Sequence, residues 1–291
     1  LAESDQAANA AQAQRWNGAG GQYWIVHRKR HLDEHQHLTP HLFRAAGISP
    51  GERIIDMGCG CGDTTIAAAR AAADDTSRSL DCDEPGLAVG LDLSGPMLEV
   101  ASQLALQAGV ANVAFVQGDA QAGPLRRDSF DVAISKFGVM FFDDPRAAFA
   151  GLATKIRPGG RLAFLCWQDD NLNEVFAIPL RAVADYADRP GPTANELFTD
   201  PNQISGLLSS AGWAEIGIIP VIEPARMGCD VDDVMDYVRG TPVIRDAAET
   251  LGDEKAFERM LARIADEYAE RQRPDGVWVN AVAWLVTARR A

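Results

Sequence analysis

The chain is poor in basic residues, in cysteine and in long apolar runs, and each shortage excludes something. Lys and Arg number 27 against 41 Asp and Glu, so the formal net charge is −14. A field of that sign repels phosphate backbones and anionic lipid, which predicts no nucleic-acid partner. No apolar run approaches the ~18 residues of a membrane span. The stretch from Leu1 to Gln14 is rich in Ala and Gln and has no apolar signal core, so the chain reads as cytoplasmic. Five cysteines are scattered without a CxxC pair. An odd set of that kind argues for reduced thiols rather than a disulfide framework. No repeat of about 20–50 residues is present, which removes solenoids.

What is there is an ordinary globular balance. The 291 residues are 47% hydrophobic and 23% charged, enough for one large α/β domain with additions. From Arg53 to Trp167, short apolar runs alternate with helical segments. Strands are expected at Arg53–Met57, Leu87–Leu91, Val113–Val116, Phe130–Ile134 and Arg161–Trp167. Helices are expected at Thr64–Ala73, from Ser94 to Ala108 with Gly109 as the stop, and after Asp144-Pro145. Pro158-Gly159-Gly160 reads as a turn. Such alternation implies a parallel sheet with helices on both faces. Residues 1–48 read as a helical lid and 49–168 as the ligand-binding core. Residues 169–291 read as the rest of the sheet with helical additions at about 170–211 and 224–274. The last two strands are expected at Ala214–Val221 and Val277–Ala288.

The sharpest motif is Asp56-Met-Gly-Cys-Gly-Cys-Gly62, set between a strand and a helix. Glycines there let the chain turn tightly and let a ligand approach the backbone. The site falls at the C-terminal edge of the sheet, where open α/β folds bind ligands. A dinucleotide fingerprint needs a third glycine where Asp63 stands, and an anionic side chain beside a pyrophosphate is unfavourable. A phosphate-free cofactor suits the motif better than NAD. Asp92 ends the next strand, where a carboxylate accepts hydrogen bonds from ribose hydroxyls or caps the following helix. Asp119-Ala120 follows the third strand and Ser135-Lys136-Phe137 the fourth, so four strand ends converge on one crevice.

With these residues the chain resembles the class I S-adenosylmethionine (SAM) methyltransferases, and within them the ubiquinone/menaquinone-biosynthesis type. The carrying residues are Gly51-Glu-Arg-Ile-Ile-Asp-Met-Gly-Cys-Gly-Cys-Gly62, Gly90-Leu-Asp-Leu-Ser94 with Met97, and Gly118-Asp119-Ala120. Phe130–Ser135, Phe137–Phe142 and Arg157-Pro-Gly-Gly160 complete the set. The resemblance implies a seven-stranded Rossmann-like α/β sheet in the order 3-2-1-4-5-7-6, with the last strand antiparallel. It implies SAM as cofactor and S-adenosylhomocysteine (SAH) as product. It also implies roles: Asp56, Gly58 and Gly60 at the methionine part, Asp92 at the ribose, Leu93 and Met97 near the adenine. Asp119 and Ala120 would take the adenine edge and Ser135 would sit under the sulfonium. The helical stretch before the last strand departs from simpler members and bears on the substrate class.

The acceptor side is read from fewer signals. No Asn/Asp-Pro-Pro-Tyr-like stretch follows the fourth strand, which argues against nucleobase amines. A small, largely apolar metabolite is therefore expected as methyl acceptor, in secondary or cofactor metabolism, with carbon or oxygen favoured as the methylated atom and nitrogen left open. Phe137 and Phe141 are expected in the acceptor wall, with Tyr23 and Trp24 from the lid. His27, His31 and His35 recur every four residues, with Pro40 interrupting the helix and Thr39 expected to cap a second one that carries His41. His31 and His35 are the candidates for a general base. No metal is expected, because no Cys or HExxH-type partner accompanies the histidines. A non-catalytic SAM-binding sensor or scaffold is the rival reading, and a homodimer that exchanges the lid stays open.

Overall fold

The computed structural model describes residues 10–73, 86–121, 125–187 and 196–291. Four short helices come first: α1 (Ala10–Asn17), α2 (Ala19–Val26), α3 (Arg28–His35) and α4 (Thr39–Ala46). Then β1 (Arg53–Met57), α5 (Asp63–Ala72), β2 (Leu87–Asp92), α6 (Gly95–Gln107), β3 (Val113–Gln117) and β4 (Phe130–Lys136) alternate. A short 3-10 turn (Val139–Phe141) leads to α7 (Pro145–Ala153), β5 (Ile156–Trp167), α8 (Glu174–Ala187) and α9 (Pro201–Ser210). The chain closes with β6 (Trp213–Gly228), α10 (Val231–Arg239), α11 (Pro242–Leu251), α12 (Glu254–Ala269), β7 (Gln272–Arg273) and β8 (Gly276–Arg290). No helix among the described residues is long and apolar enough to cross a membrane.

The sheet runs β3-β2-β1-β4-β5-β8-β6. The first five strands pair in parallel, and β8 runs antiparallel between β5 and β6. This is the expected order; the strand count differs only because the two-residue β7 folds back on β8. In the register, Asp56 lies beside both Gly90 and Ile134, so β1, β2 and β4 end along one edge. Local chemistry sets the helix starts. Ser94 caps α6 by accepting from the Met97 N–H (3.3 Å), and Asp144 caps α7 by accepting from the Ala147 N–H (2.9 Å).

Alternation along the strands divides the core into two layers. One face carries Ile54, Val132, Ile134, Ala163 and Leu165 under Leu38, Leu42 of α4, α8 and the α10–α12 group. The other carries Ile55, Met57, Ala133 and Phe164 over Phe149, Leu152, Ile204 and Leu208 of α7 and α9.

Three local expectations need correction. Pro158-Gly159-Gly160 is not a turn between elements: β5 already begins at Ile156, opposite Phe130, and a register shift between Phe130 and Val132 absorbs the glycines. β6 continues past Val221 to Gly228, so residues 224–228 are strand rather than helix. Pro220 and Pro224 are tolerated in it because β6 is the edge strand, with one side of its ladder unpaired. Thr39 does not cap α4; its hydroxyl donates back to the His35 carbonyl (3.0 Å).

Candidate active site

The parallel strands end at a cavity of about 1240 Å³, measured out to its open mouth. One wall is backbone. Gly58, Gly60 and Gly62 all hold left-handed φ values of 64°, 55° and 80°. A Cβ on Gly58 would stand 2.8 Å from the Gly138 Cα, so two glycines on neighbouring strand ends allow the chains to touch. Cys59 and Cys61 line the cavity between them, and burial pushes both thiols up, away from thiolate chemistry.

Asp92 and Asp119 also line this side. Asp92 accepts the Gly60 N–H (2.8 Å) and the Ser94 N–H (2.9 Å), which ties the glycine loop to the β2 turn. Burial raises its carboxyl from the ordinary carboxylate range, against those two backbone hydrogen bonds. Asp119 accepts the Gln121 N–H (2.8 Å). Leu93, Met97, Ala120 and Gly118 fill the surface around the two carboxylates.

The opposite wall consists of rings and imidazoles. Phe137 sits at φ 64°, rare for a side chain of its size, just past the end of β4. The kink lays its ring flat on Trp167 at the end of β5, with centroids 3.8 Å apart and planes 11° apart. The two meet because β4 and β5 pair in parallel with Lys136 beside Leu165. The His35 ring stands 4.8 Å from Phe137 and 5.3 Å from Trp167. The Trp24 ring packs 4.1 Å from His31, and Trp16 meets Phe141 edge-on at 4.9 Å.

His31, Glu34 and His35 are buried on α3. His31 Nδ1 lies 3.0 Å from Glu34 Oε2. A carboxylate only accepts, so the imidazole proton belongs on Nδ1 and the electron pair on Nε2. That Nε2 is buried without a hydrogen-bond partner, as is Glu34 Oε1. Burial pushes the His35 pKa well below the usual imidazole range, and the Lys136 charge adds to the effect.

The N-terminal helices are fastened at both sides. Arg28 grips Asp63 at the start of α5 with Nε (2.9 Å) and a second nitrogen. Asn17 donates to the Leu93 carbonyl (2.9 Å) and accepts from the Gly95 N–H (3.0 Å). Arg30 reaches the Met227 carbonyl and Asp233 on the C-terminal segment.

Of the residues singled out from sequence, Trp24, His31, His35, Gly58, Gly60, Asp92, Leu93, Met97, Asp119, Ala120, Phe137 and Phe141 line one cavity. Three stand elsewhere. Asp56 is fully buried behind the loop, where its Oδ2 accepts from the Thr64 (2.6 Å) and Thr65 (2.7 Å) hydroxyls. Burial lifts its carboxyl to about 6. Ser135 is fully buried too and donates to the Met57 carbonyl (2.7 Å), because the alternation that turns Lys136 toward the cavity turns Ser135 away. Tyr23 packs against His27 and Tyr237, beside rather than on the cavity wall. Sequence reasoning missed Glu34, Lys136, Trp167 and the Arg28–Asp63 pair. The charge pattern on the His-rich helix pointed to Glu34, three residues after His31; nothing local pointed to Trp167.

Residues 48–183 match the family model described as a methyltransferase domain. The chain is 29% identical over 246 residues to an uncharacterized protein of Mycobacterium tuberculosis (strain ATCC 25618 / H37Rv), covering 82% of each chain. It is 30% identical over 135 residues to a demethylmenaquinone methyltransferase of Lactiplantibacillus plantarum, covering 46% of this chain and 53% of that one. Its fold is similar to that of the crystal structure of the YcgJ protein from Bacillus subtilis, with a TM-score of 0.55, 18% identity, and 88% and 99% of the two chains covered.

Proposed function

We propose that the chain acts as a class I SAM-dependent methyltransferase and methylates a small, planar, largely apolar metabolite held between the glycine loop and the N-terminal helices. The observation that carries this reading is the Phe137–Trp167 stack with His35 across it, in the same cavity as Gly58, Gly60 and Asp92. A flat ring wall beside a cofactor cradle fits a flat acceptor.

The residues present fit a phosphate-free nucleoside. Besides Asp63, which Arg28 grips, the cavity lining holds two carboxylates, Asp92 and Asp119, suited to hydroxyl and amino donors. Asp63 at the first turn of α5 stands where a dinucleotide fingerprint needs a glycine. In this reading Gly58 and Gly60 receive the methionine part, Asp92 the ribose, Leu93 and Met97 the face of the adenine, and Asp119 with Ala120 its edge. Asp56 and Ser135 act from behind, the first tying α5 to β1 and the second holding the Met57 carbonyl.

The sulfonium of SAM supplies an already activated methyl group. The chain has to align the acceptor, exclude water and take one proton. Phe137 and Trp167 orient the ring; α1–α3 cover it. Glu34 holds the His31 tautomer, and Nε2 is the atom left to accept the proton. For a phenolic oxygen, the new bond is C–O, the bond broken is C–S, and the hydroxyl proton passes to His31. For a ring carbon, the proton lost is the one on that carbon. The likeness to a demethylmenaquinone methyltransferase supports ring carbon or phenolic oxygen over nitrogen, and a place in cofactor or secondary metabolism.

The test is incubation with methyl-labelled SAM and a metabolite extract of the source organism, with SAH binding measured by calorimetry. A labelled aromatic or quinone-like product is expected. SAH binding without any labelled product would favour a non-catalytic binder; no SAH binding would overturn the cofactor placement.

A further inference from the structure

Lys136 is the last residue of β4, half-buried, on the strand face shared by Val132 and Ile134. It lines the cavity with six other titratable side chains of the carboxylate, imidazole and guanidinium kinds. The others are accounted for. Arg28 and Asp63 neutralise each other in a two-point contact. Asp92 and Asp119 accept backbone N–H groups. His31 is paired with Glu34, and burial holds His35 neutral. Among the described residues Lys136 alone brings a cationic head to this cavity without a hydrogen bond or ion pair. Its electrostatic neighbours are Asp63, Asp56 and Arg28, with His35 on its other side. Asp63 is already engaged, and Asp56 is satisfied by two threonine hydroxyls behind the loop.

An ammonium half out of water with no partner is costly to maintain, and such groups are kept where a ligand completes them. A second positive charge near a bound sulfonium would also be repulsive unless an anion lies between them. We propose that Lys136 is the seat of an anionic oxygen, a carboxylate or phenolate brought by a ligand. The inference rests on the methyltransferase reading of the cavity. Two ligands can bring that oxygen: the methionine carboxylate of the donor, or an acidic group on the acceptor.

The experiment compares Lys136→Met with wild type and with Lys136→Arg, which restores the charge. Calorimetry measures SAH, then 5′-methylthioadenosine, which lacks the amino-acid part, then salicylate added to the SAH-loaded protein. Thermal melting confirms that each variant is folded. If the donor brings the oxygen, Lys136→Met loses roughly 10–100-fold in SAH affinity, leaves 5′-methylthioadenosine unchanged, and regains most of the loss as Lys136→Arg. If the acceptor brings it, SAH affinity is unchanged and salicylate binding falls by a similar factor. Unchanged affinity for both SAH and salicylate in Lys136→Met overturns the proposal while leaving the methyltransferase reading intact. A wild-type protein that binds no SAH overturns that reading and this inference with it.

Discussion

The glycine-loop wall and the ring wall of the cavity face each other but are built on different principles. The first is mostly main chain: the left-handed Gly58 and Gly60, with Asp92 gathering the Gly60 and Ser94 amides, all within residues 58–94. The second is almost entirely side chain. It brings Trp24, His31 and His35 from the N-terminal helices to Phe137 and Trp167 at two strand ends. A wall of backbone atoms leaves little room for substitution, because the shape is the chain itself. A wall of rings can change its occupant by changing one residue while the fold stays as it is. A shared donor with differing acceptors asks for that division of labour.

Substitutions can break the comparison or sharpen it. The largest effect is expected on the ring wall. His31→Ala should lower kcat by on the order of 10²–10³-fold, the usual worth of a general base, and leave SAH affinity unchanged. Steady-state kinetics with the identified acceptor, alongside calorimetry, checks both halves. A fall in SAH affinity of the same size would show that the two walls are one unit. Next comes Asp92→Ala on the backbone wall, which removes the acceptor for the Gly60 and Ser94 amides as well as the group offered to the ribose. SAH affinity should fall by roughly 30–100-fold, measured by calorimetry, and unchanged affinity would displace the cofactor from this side.

The smallest effect on the cavity is expected behind the backbone wall. The Asp56 carboxyl, raised to about 6 by burial, binds its proton more tightly in the folded chain than in the unfolded one. Its contribution to stability is therefore present at low pH and lost as pH rises from about 4 through about 6. Asp56→Asn keeps an oxygen for the two threonine hydroxyls and removes the charge. Relative to wild type it should gain on the order of 3 kcal/mol above pH 7 and nothing near pH 4. Denaturant melts across that range would show it, and parallel pH curves for the two proteins would rule the buried charge out as a source of pH dependence.

The same contrast explains what the sequence made legible. Glycines at fixed spacing, a strand before them and a helix after them are local signals, and the five parallel strands and most of the backbone wall follow from them; the strand order came with the family resemblance. Orientation is harder. Ser135 and Lys136 are adjacent, and which of them meets the cavity depends on the pairing of β4 with β1 and β5, which composition does not reveal. Asp56 stands next to the glycines and still points the other way, toward Thr64 and Thr65. Trp167 lies 30 residues from Phe137 in the chain and 3.8 Å from it in space, a contact that only the register creates. Glu34 carried a spacing signal, three residues after His31, but its type argued against it, since glutamate on a helix is usually a solvated residue.

The position of β8 in the sheet has a consequence for how the protein is made. Of the described strands, the last to be synthesised is the one that sits between β5 and β6. Until residues 276–290 are available, β6 lacks the strand it pairs with among the described residues. The Met227 carbonyl at the end of β6 and Asp233 just beyond it, which hold Arg30 of α3, depend on that pairing for their place. The glycine-loop side of the cavity can take shape early from contiguous chain, whereas the ring side waits for β8. A nascent chain stalled before β8 therefore has its glycine loop in reach before the helices that face it are anchored.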